Sequence, residues 1–234
     1  MTDERLFSQT GRKIIVTGHY GSGKTEFSVS LALLLAVKNA GKLALVDLDI
    51  VNPYFRSREC RDMLQHAGIS VYGSAFESEI TLELPALGSK LRAPLEDAGC
   101  RVIIDTGGND SGALVLNQFQ KYFSDDETTV LTVVNANRPD TRDLKGALAH
   151  IKSIEAATGL IITGIVNNCH MLRETTAETI ASGHELCRKI CEETGKELWC
   201  DCYPDGIVDP NDLGRLSENL MPLGLYLRPT WLDK

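Results

Sequence analysis

The chain has no long apolar run. Its longest strongly apolar stretch, Leu31 to Val37, is far shorter than the about 20 residues that a membrane-spanning helix needs. Neither end carries a Lys/Arg-rich amphipathic tail, so no membrane anchor is expected. Positive charge is also in deficit, with 24 Lys and Arg against 32 Asp and Glu and a net charge of −8, which argues against a large non-specific nucleic-acid footprint. A disulfide framework is missing as well. The seven cysteines are an odd number, contain no Cys-x-x-Cys pair, and follow no signal peptide ahead of Lys13, so a cytoplasmic, reduced setting is expected. Repeats, low-complexity linkers and abrupt composition shifts are absent too, and residues 1–234 read as a single domain.

What is present suits one α/β domain with a full core: 43% of residues are hydrophobic and 24% charged. Strand-like runs occur at Lys13–Thr17, Leu43–Val46, Ile69–Tyr72, Arg101–Ile104, Thr129–Val134, Leu160–Val166 and Leu198–Cys202. Segments of helical periodicity separate most of them. One is Thr25–Asn39, stopped by Gly41; another is Thr141–Thr158, where Leu144, Leu148, Ile151 and Ile154 recur at helical spacing. Such alternation predicts a doubly wound, mostly parallel sheet with helices on both faces.

The first strand runs directly into Gly18-His19-Tyr20-Gly21-Ser22-Gly23-Lys24-Thr25, the spacing of a loop that holds nucleotide phosphates. Gly21 and Gly23 permit backbone conformations closed to other residues, so successive N–H groups can turn inward around an anion. Lys24 adds charge near the β and γ oxygens, and Thr25 offers a hard oxygen to Mg²⁺ and opens a helix, with Glu26 next in it, whose N-terminal dipole favours the anion. Residues 18–26 are therefore candidate nucleotide contacts, and Lys24 a candidate catalytic residue.

The second strand ends in Asp47-Leu48-Asp49, and the C-terminal ends of parallel strands face the ligand crevice. Carboxylates beside a polyphosphate require a cation or a water between them. Asp47 is thus a candidate Mg²⁺ ligand and Asp49 a candidate group for orienting the attacking water. A further apolar strand ends in Asp105-Thr106-Gly107-Gly108, where Asp105 is placed to hold Mg²⁺ from the opposite side and the two glycines let backbone amides approach a γ-phosphate. Gly107 and Gly108, with Asn109 and Ser111 after them, have the composition of a switch segment.

Taken together, GHYGSGKT, LVDLDIVNP and VIIDTGG resemble the MinD/ParA/Mrp group of P-loop ATPases, within the superfamily that also contains the CobQ/CobB amidotransferase synthetases. The resemblance spans most of the chain and implies a P-loop NTPase fold, ATP and Mg²⁺ as ligands, and slow hydrolysis with Asp49 positioning the water. It also implies that Asn167 or Asn168 at the end of a late strand reads adenine, and that the chain closes over the base at Pro204-Asp205. No Asn-Lys-x-Asp guanine signature is present. One departure stands out: the group's second lysine, just after the first glycine, is replaced by His19, a weaker cation for the same task. Arg56 and Arg58 are alternative sources of positive charge.

The resulting expectation is a nucleotide-dependent switch acting on an unknown protein partner, with nucleotide-dependent homodimerisation as one form of it. Two alternatives stay open. One is an ATP-dependent synthetase of the CobQ or dethiobiotin type. The other is a metal or iron–sulfur insertion ATPase, for which Cys200 and Cys202 on one strand face and Cys187 and Cys191 at helical spacing are the candidate ligands.

Overall fold

The computed structural model describes residues 10–38, 41–49, 60–73, 92–214, 216 and 219–227, with the side chains of 110 and 111 left aside. Arg56 and Arg58, and the 50–53 part of the Asp47 segment, lie outside the described residues.

The chain builds β1 (Lys13–Gly18), α1 (Lys24–Val37), β2 (Lys42–Asp47), α2 (Arg61–His66), β3 (Ile69–Gly73), β4 (Cys100–Asp105) and the short α3 (Asp110–Ala113). It continues through β5 (Thr128–Val134), α4 (Leu144–Thr158), β6 (Gly164–Asn167), α5 (Ala177–Thr194), β7 (Glu197–Pro204) and β8 (Leu220–Leu223). The strands form one eight-stranded sheet in the order β3-β2-β4-β1-β5-β6-β7-β8, and every pairing is parallel. The expected doubly wound sheet is thus present.

Period-two alternation divides the β1 side chains between two cores. Ile14 and Val16 pack with Phe27, Leu31 and Leu35 of α1 on one face. Ile15 packs with Ile151 and Ile154 of α4 and with Cys187 and Ile190 of α5 on the other. The central strands are apolar throughout, as strands covered on both faces must be.

Sequence periodicity missed β8. It has four residues and contains Pro222, a composition that a sheet edge tolerates because one side of the strand makes no ladder. The helix expected from Thr141 begins at Leu144, because the Asp143 carboxylate accepts the Gly146 amide as an N-cap and Pro139–Thr141 winds as a separate 3₁₀ turn. Residues 160–163 lie ahead of β6, and Ile161 is 74% exposed.

Helix α5 presses on the loop after β6 through Gly183. A Cβ there would lie 2.2 Å from Cys169 Cβ and 2.3 Å from Asn167 Oδ1. In an exposed helix Gly→Ala gains about 1 kcal/mol, but overpacking of this kind costs about 1–3 kcal/mol and more when backbone must move. Gly183→Ala is therefore expected to lower the urea midpoint, and an unchanged or raised midpoint would contradict this packing.

Candidate functional site

At the C-terminal end of β1, Gly18, Gly21 and Gly23 take φ values of 141°, 72° and 86°, all in territory that favours glycine. Gly23 is the N-cap of α1, and no side chain caps that end. The first-turn amides of α1 are therefore directed at whatever occupies the loop. The loop is braced from outside. Asn168 Nδ2 donates to Ser22 O at 2.8 Å, Arg138 Nε donates to Gly21 O at 2.6 Å, and Ser22 N donates to His19 O at 3.0 Å.

Lys24 and Thr25 are 6% and 9% exposed, and Asp47, Asp49 and Asp105 are 5%, 6% and 0% exposed. Parallel pairing of β2 with β4 sets Asp47 level with Asp105, and Asp47 Oδ1 accepts the Asp49 amide at 3.0 Å. Lys24 Nζ reaches the His19 carbonyl at 3.3 Å. Gly108 packs against Tyr20 and Lys24, since a Cβ there would meet Tyr20 Cα at 2.8 Å and Lys24 Nζ at 3.0 Å. A Cβ on Gly107 would stand 3.6 Å from Asp49 Oδ1. Gly18 to Thr25, Asp47, Asp49, Asp105, Gly107 and Gly108 are therefore brought together.

The electrostatics are those of an incomplete site. Burial pushes the Asp105 carboxyl up to about 6 against the pull of the Lys24 ammonium and a Thr25 hydrogen bond, while burial pushes Lys24 down against Asp105 and Asp49. Asp105 Oδ1 is 3.5 Å from Ser28 Oγ, whereas Asp105 Oδ2 and Ser22 Oγ are buried with no hydrogen-bond partner among the described residues. An orphaned carboxylate oxygen beside a threonine hydroxyl fits the hard-oxygen demand of Mg²⁺.

The remaining candidates lie as follows. His19 Nε2 is 3.1 Å from Asp140 Oδ2, and its ring meets His150 edge to face at 5.4 Å. Asn167 is wholly buried; its Nδ2 donates to Ile180 O at 3.0 Å and Asp201 Oδ1 at 2.6 Å, and its Oδ1 accepts the Cys169 amide. Asp201 in turn contacts His184 Nδ1 at 2.9 Å. Pro204 ends β7, and the Asp205 amide donates to Leu223 O at 2.9 Å. Glu26 reaches away from the loop to accept the amides of Tyr226 at 3.0 Å and Leu227 at 2.8 Å, and burial lifts its carboxyl to about 7.

The cysteines behave as core residues. Cys200 and Cys202 Sγ are 3.8 Å apart, and burial raises the Cys187 and Cys200 thiols well above their ordinary range. Among the described residues, no group of three or more His, Cys, Asp and Glu is arranged to hold a metal ion.

Two residues at the loop escaped sequence reading, Arg138 and His170. Arg138 follows the late strand β5 in Asn135-Ala136-Asn137-Arg138, a place that offered a signal by position but not by motif. His170 follows Asn168. Its Nδ1 accepts the Leu172 amide at 3.3 Å, and its buried Nε2, without a partner among the described residues, would stand 3.2 Å from a Cβ on Gly23.

No protein-family model matches the chain, and no curated protein matches it in sequence. Solved structures do match. FtsY of Thermotoga maritima is 21% identical with a TM-score of 0.53, covering 84% of this chain and 63% of that one. Signal recognition particle 54 kDa protein of Aeropyrum pernix is 20% identical with a TM-score of 0.52, covering 85% and 43%. Chloroplast FtsY of Physcomitrella patens is 18% identical with a TM-score of 0.54, covering 85% and 60%. The chain thus spans 43% to 63% of the length of these proteins. The fold is that of a P-loop NTPase. Among the described residues, no helix is long and apolar enough to cross a membrane.

Burial, aided by the Arg138 charge, holds the His170 imidazole down at about 4 against an ordinary value of 6.5. Between those values the unfolded chain binds more protons than the folded one, so folding stability falls as pH drops from 6.5 towards 4. The His170 share is up to about 3 kcal/mol, from 1.36 kcal/mol per unit. Urea unfolding across that range should show a flatter pH profile for His170→Gln than for the wild type, and identical slopes would contradict the burial of this ring.

Proposed function

We propose that this chain is a Mg²⁺-dependent P-loop ATPase whose slow turnover drives a switch acting on a partner protein. The observation that carries this reading is the pair of buried, unsatisfied oxygens, Asp105 Oδ2 and Ser22 Oγ, beside Lys24 at the uncapped start of α1. Such groups cost free energy unless a ligand completes them.

In this reading the loop amides other than that of Ser22, which donates to His19 O, join the Lys24 ammonium in binding the β and γ phosphates, each charge-assisted bond being worth roughly 1.5–3 kcal/mol. Thr25 and Asp105, with Asp47, hold the cation, which when bound neutralises the β and γ oxygens. Asp49, next to Gly107, orients water for in-line attack, and the amides of Gly107 and Gly108 meet the γ-phosphate. Arg138, whose guanidinium rests on the loop at the Gly21 carbonyl, is a nearby cation, whereas His19 is turned to Asp140.

Adenine is favoured over guanine. A carboxylate that would accept from guanine N1–H and the exocyclic amine is missing from the β6 loop, where Asn168-Cys169-His170-Met171 stands. Asn168, which braces the loop through Ser22, is proposed as the adenine reader, with Pro204 and Asp205 beside the base; the Asn167 amide, wholly buried and engaged by Ile180, Asp201 and Cys169, is already used within the fold. The archaeal 54 kDa protein was solved with GDP, so GTP is the competing ligand to test.

Phosphate release from ATP and from GTP, with and without EDTA, tests the reading. ATP turnover that stops on chelation is expected. Asp49→Ala should lower turnover at least a hundredfold while ATP affinity stays within a few fold. Equal turnover by that variant removes Asp49 from the mechanism, and ADP release that requires a small carboxylic acid would place the chain with the synthetases instead.

A further inference from the structure

After β8 the chain returns to the first turn of α1, and the residue it brings there is an aromatic one. β8 pairs with β7 so that Pro204 is level with Leu223, and the Asp205 amide donates to Leu223 O, tying the turn that ends β7 to the end of β8. The next residues cross to α1. The Gly224 amide donates to Ser30 Oγ at 3.2 Å, and the Glu26 carboxylate takes the amides of both Tyr226 and Leu227. Leu227 is buried in the α1 face of the core. The strap 224–227 is therefore pinned at both ends, one of them a side chain next to Thr25.

Tyr226 is the exposed member of this strap, at 39%. Its ring lies on Gly224: a Cβ there would meet Tyr226 Cζ at 2.2 Å, Cε2 at 2.4 Å and Oη at 2.7 Å, so only glycine admits the ring in this position. The backbone bonds of the strap set Tyr226 between Glu26 in the first turn of α1 and the turn after β7, and burial, then Glu26, Asp205 and Cys60, raise the phenol above its ordinary range. The ring is thus a fixed plane, seated on backbone along one side and partly open to solvent, at the C-terminal end of the sheet where ligands of such folds lie.

We propose that Tyr226 is a stacking platform for the base of the bound nucleotide. The proposal rests on the nucleotide reading above and extends it from the phosphates to the nucleoside. A ring held by its backbone loses little conformational freedom when a base stacks on it, and stacking is tolerant of base identity because every base has a π face. It adds affinity without choosing between adenine and guanine, leaving that choice to polar groups on the β6 loop.

The test compares Mg²⁺ with ATP against Mg²⁺ with inorganic tripolyphosphate, which carries the phosphates and no base, by calorimetry on the full chain. Tyr226→Ala and Tyr226→Leu should each weaken ATP about tenfold and leave tripolyphosphate within twofold, whereas Tyr226→Phe should bind ATP like the wild type. Tyr226→Leu keeps apolar volume over Gly224 and serves if the alanine variant is poorly folded. ATP affinity unchanged in Tyr226→Leu, or both ligands weakened alike, would overturn the proposal while leaving the phosphate loop intact. A wild type that binds neither ligand would instead bring down the nucleotide reading on which this one stands.

Discussion

A lysine at the start of α1 and an aspartate at the end of β4, buried together without enough partners between them, constrain everything else in this molecule. Lys24 and Asp105 are both withdrawn from water, and burial moves each towards its neutral form while their mutual attraction opposes that move. A hydrophobic core of this quality does not require such a pair. It persists because the surrounding backbone fixes it: β1 and β4 are adjacent, Thr106 donates to Val16 O through both its amide and its hydroxyl, and Gly108 lets the β4 turn close onto Lys24. An anion and a cation are the simplest additions that complete it.

Topology supplies the place. β1 sits in the middle of the sheet, with β4, β2 and β3 on one side and β5 to β8 on the other, so the connections leaving its C-terminal end diverge and open a crevice there. The loops after β5, β6 and β7 line the same edge, and two of them grip the β1 loop directly through Arg138 and Asn168. These braces hold the outward carbonyls of Gly21 and Ser22, which organises the loop before any ligand arrives. The same edge collects the 224–227 strap through Glu26, so the start of α1 touches phosphates, on our reading, through its backbone and that strap through its side chain.

Much of this was legible in the sequence because local rules and global fold agree. The β1 loop, the Asp47 and Asp105 strand ends and the parallel sheet follow from apolar runs that end in glycine or aspartate. Contacts between segments far apart in the chain were not legible. Nothing local in Asn135-Ala136-Asn137-Arg138 announces that Arg138 rests on Gly21, 117 residues away, and nothing in Glu26 announces two amides 200 and 201 residues on. The partners of Asn167 likewise come from α5 and β7, so its wholly buried amide emerges only from the packing. β8 is too short, and its proline too misleading, for periodicity to register.

The account therefore stands on whether the buried lysine and the glycine-lined loop capture a triphosphate. Titrating ATP in the presence of Mg²⁺ into the wild type and into Lys24→Ala by isothermal calorimetry measures this directly. Several charge-assisted bonds of roughly 1.5–3 kcal/mol each predict micromolar binding to the wild type and a loss of about a hundredfold or more in the variant. Absence of binding heat from ATP and GTP alike, or equal affinity in the two proteins, would contradict it.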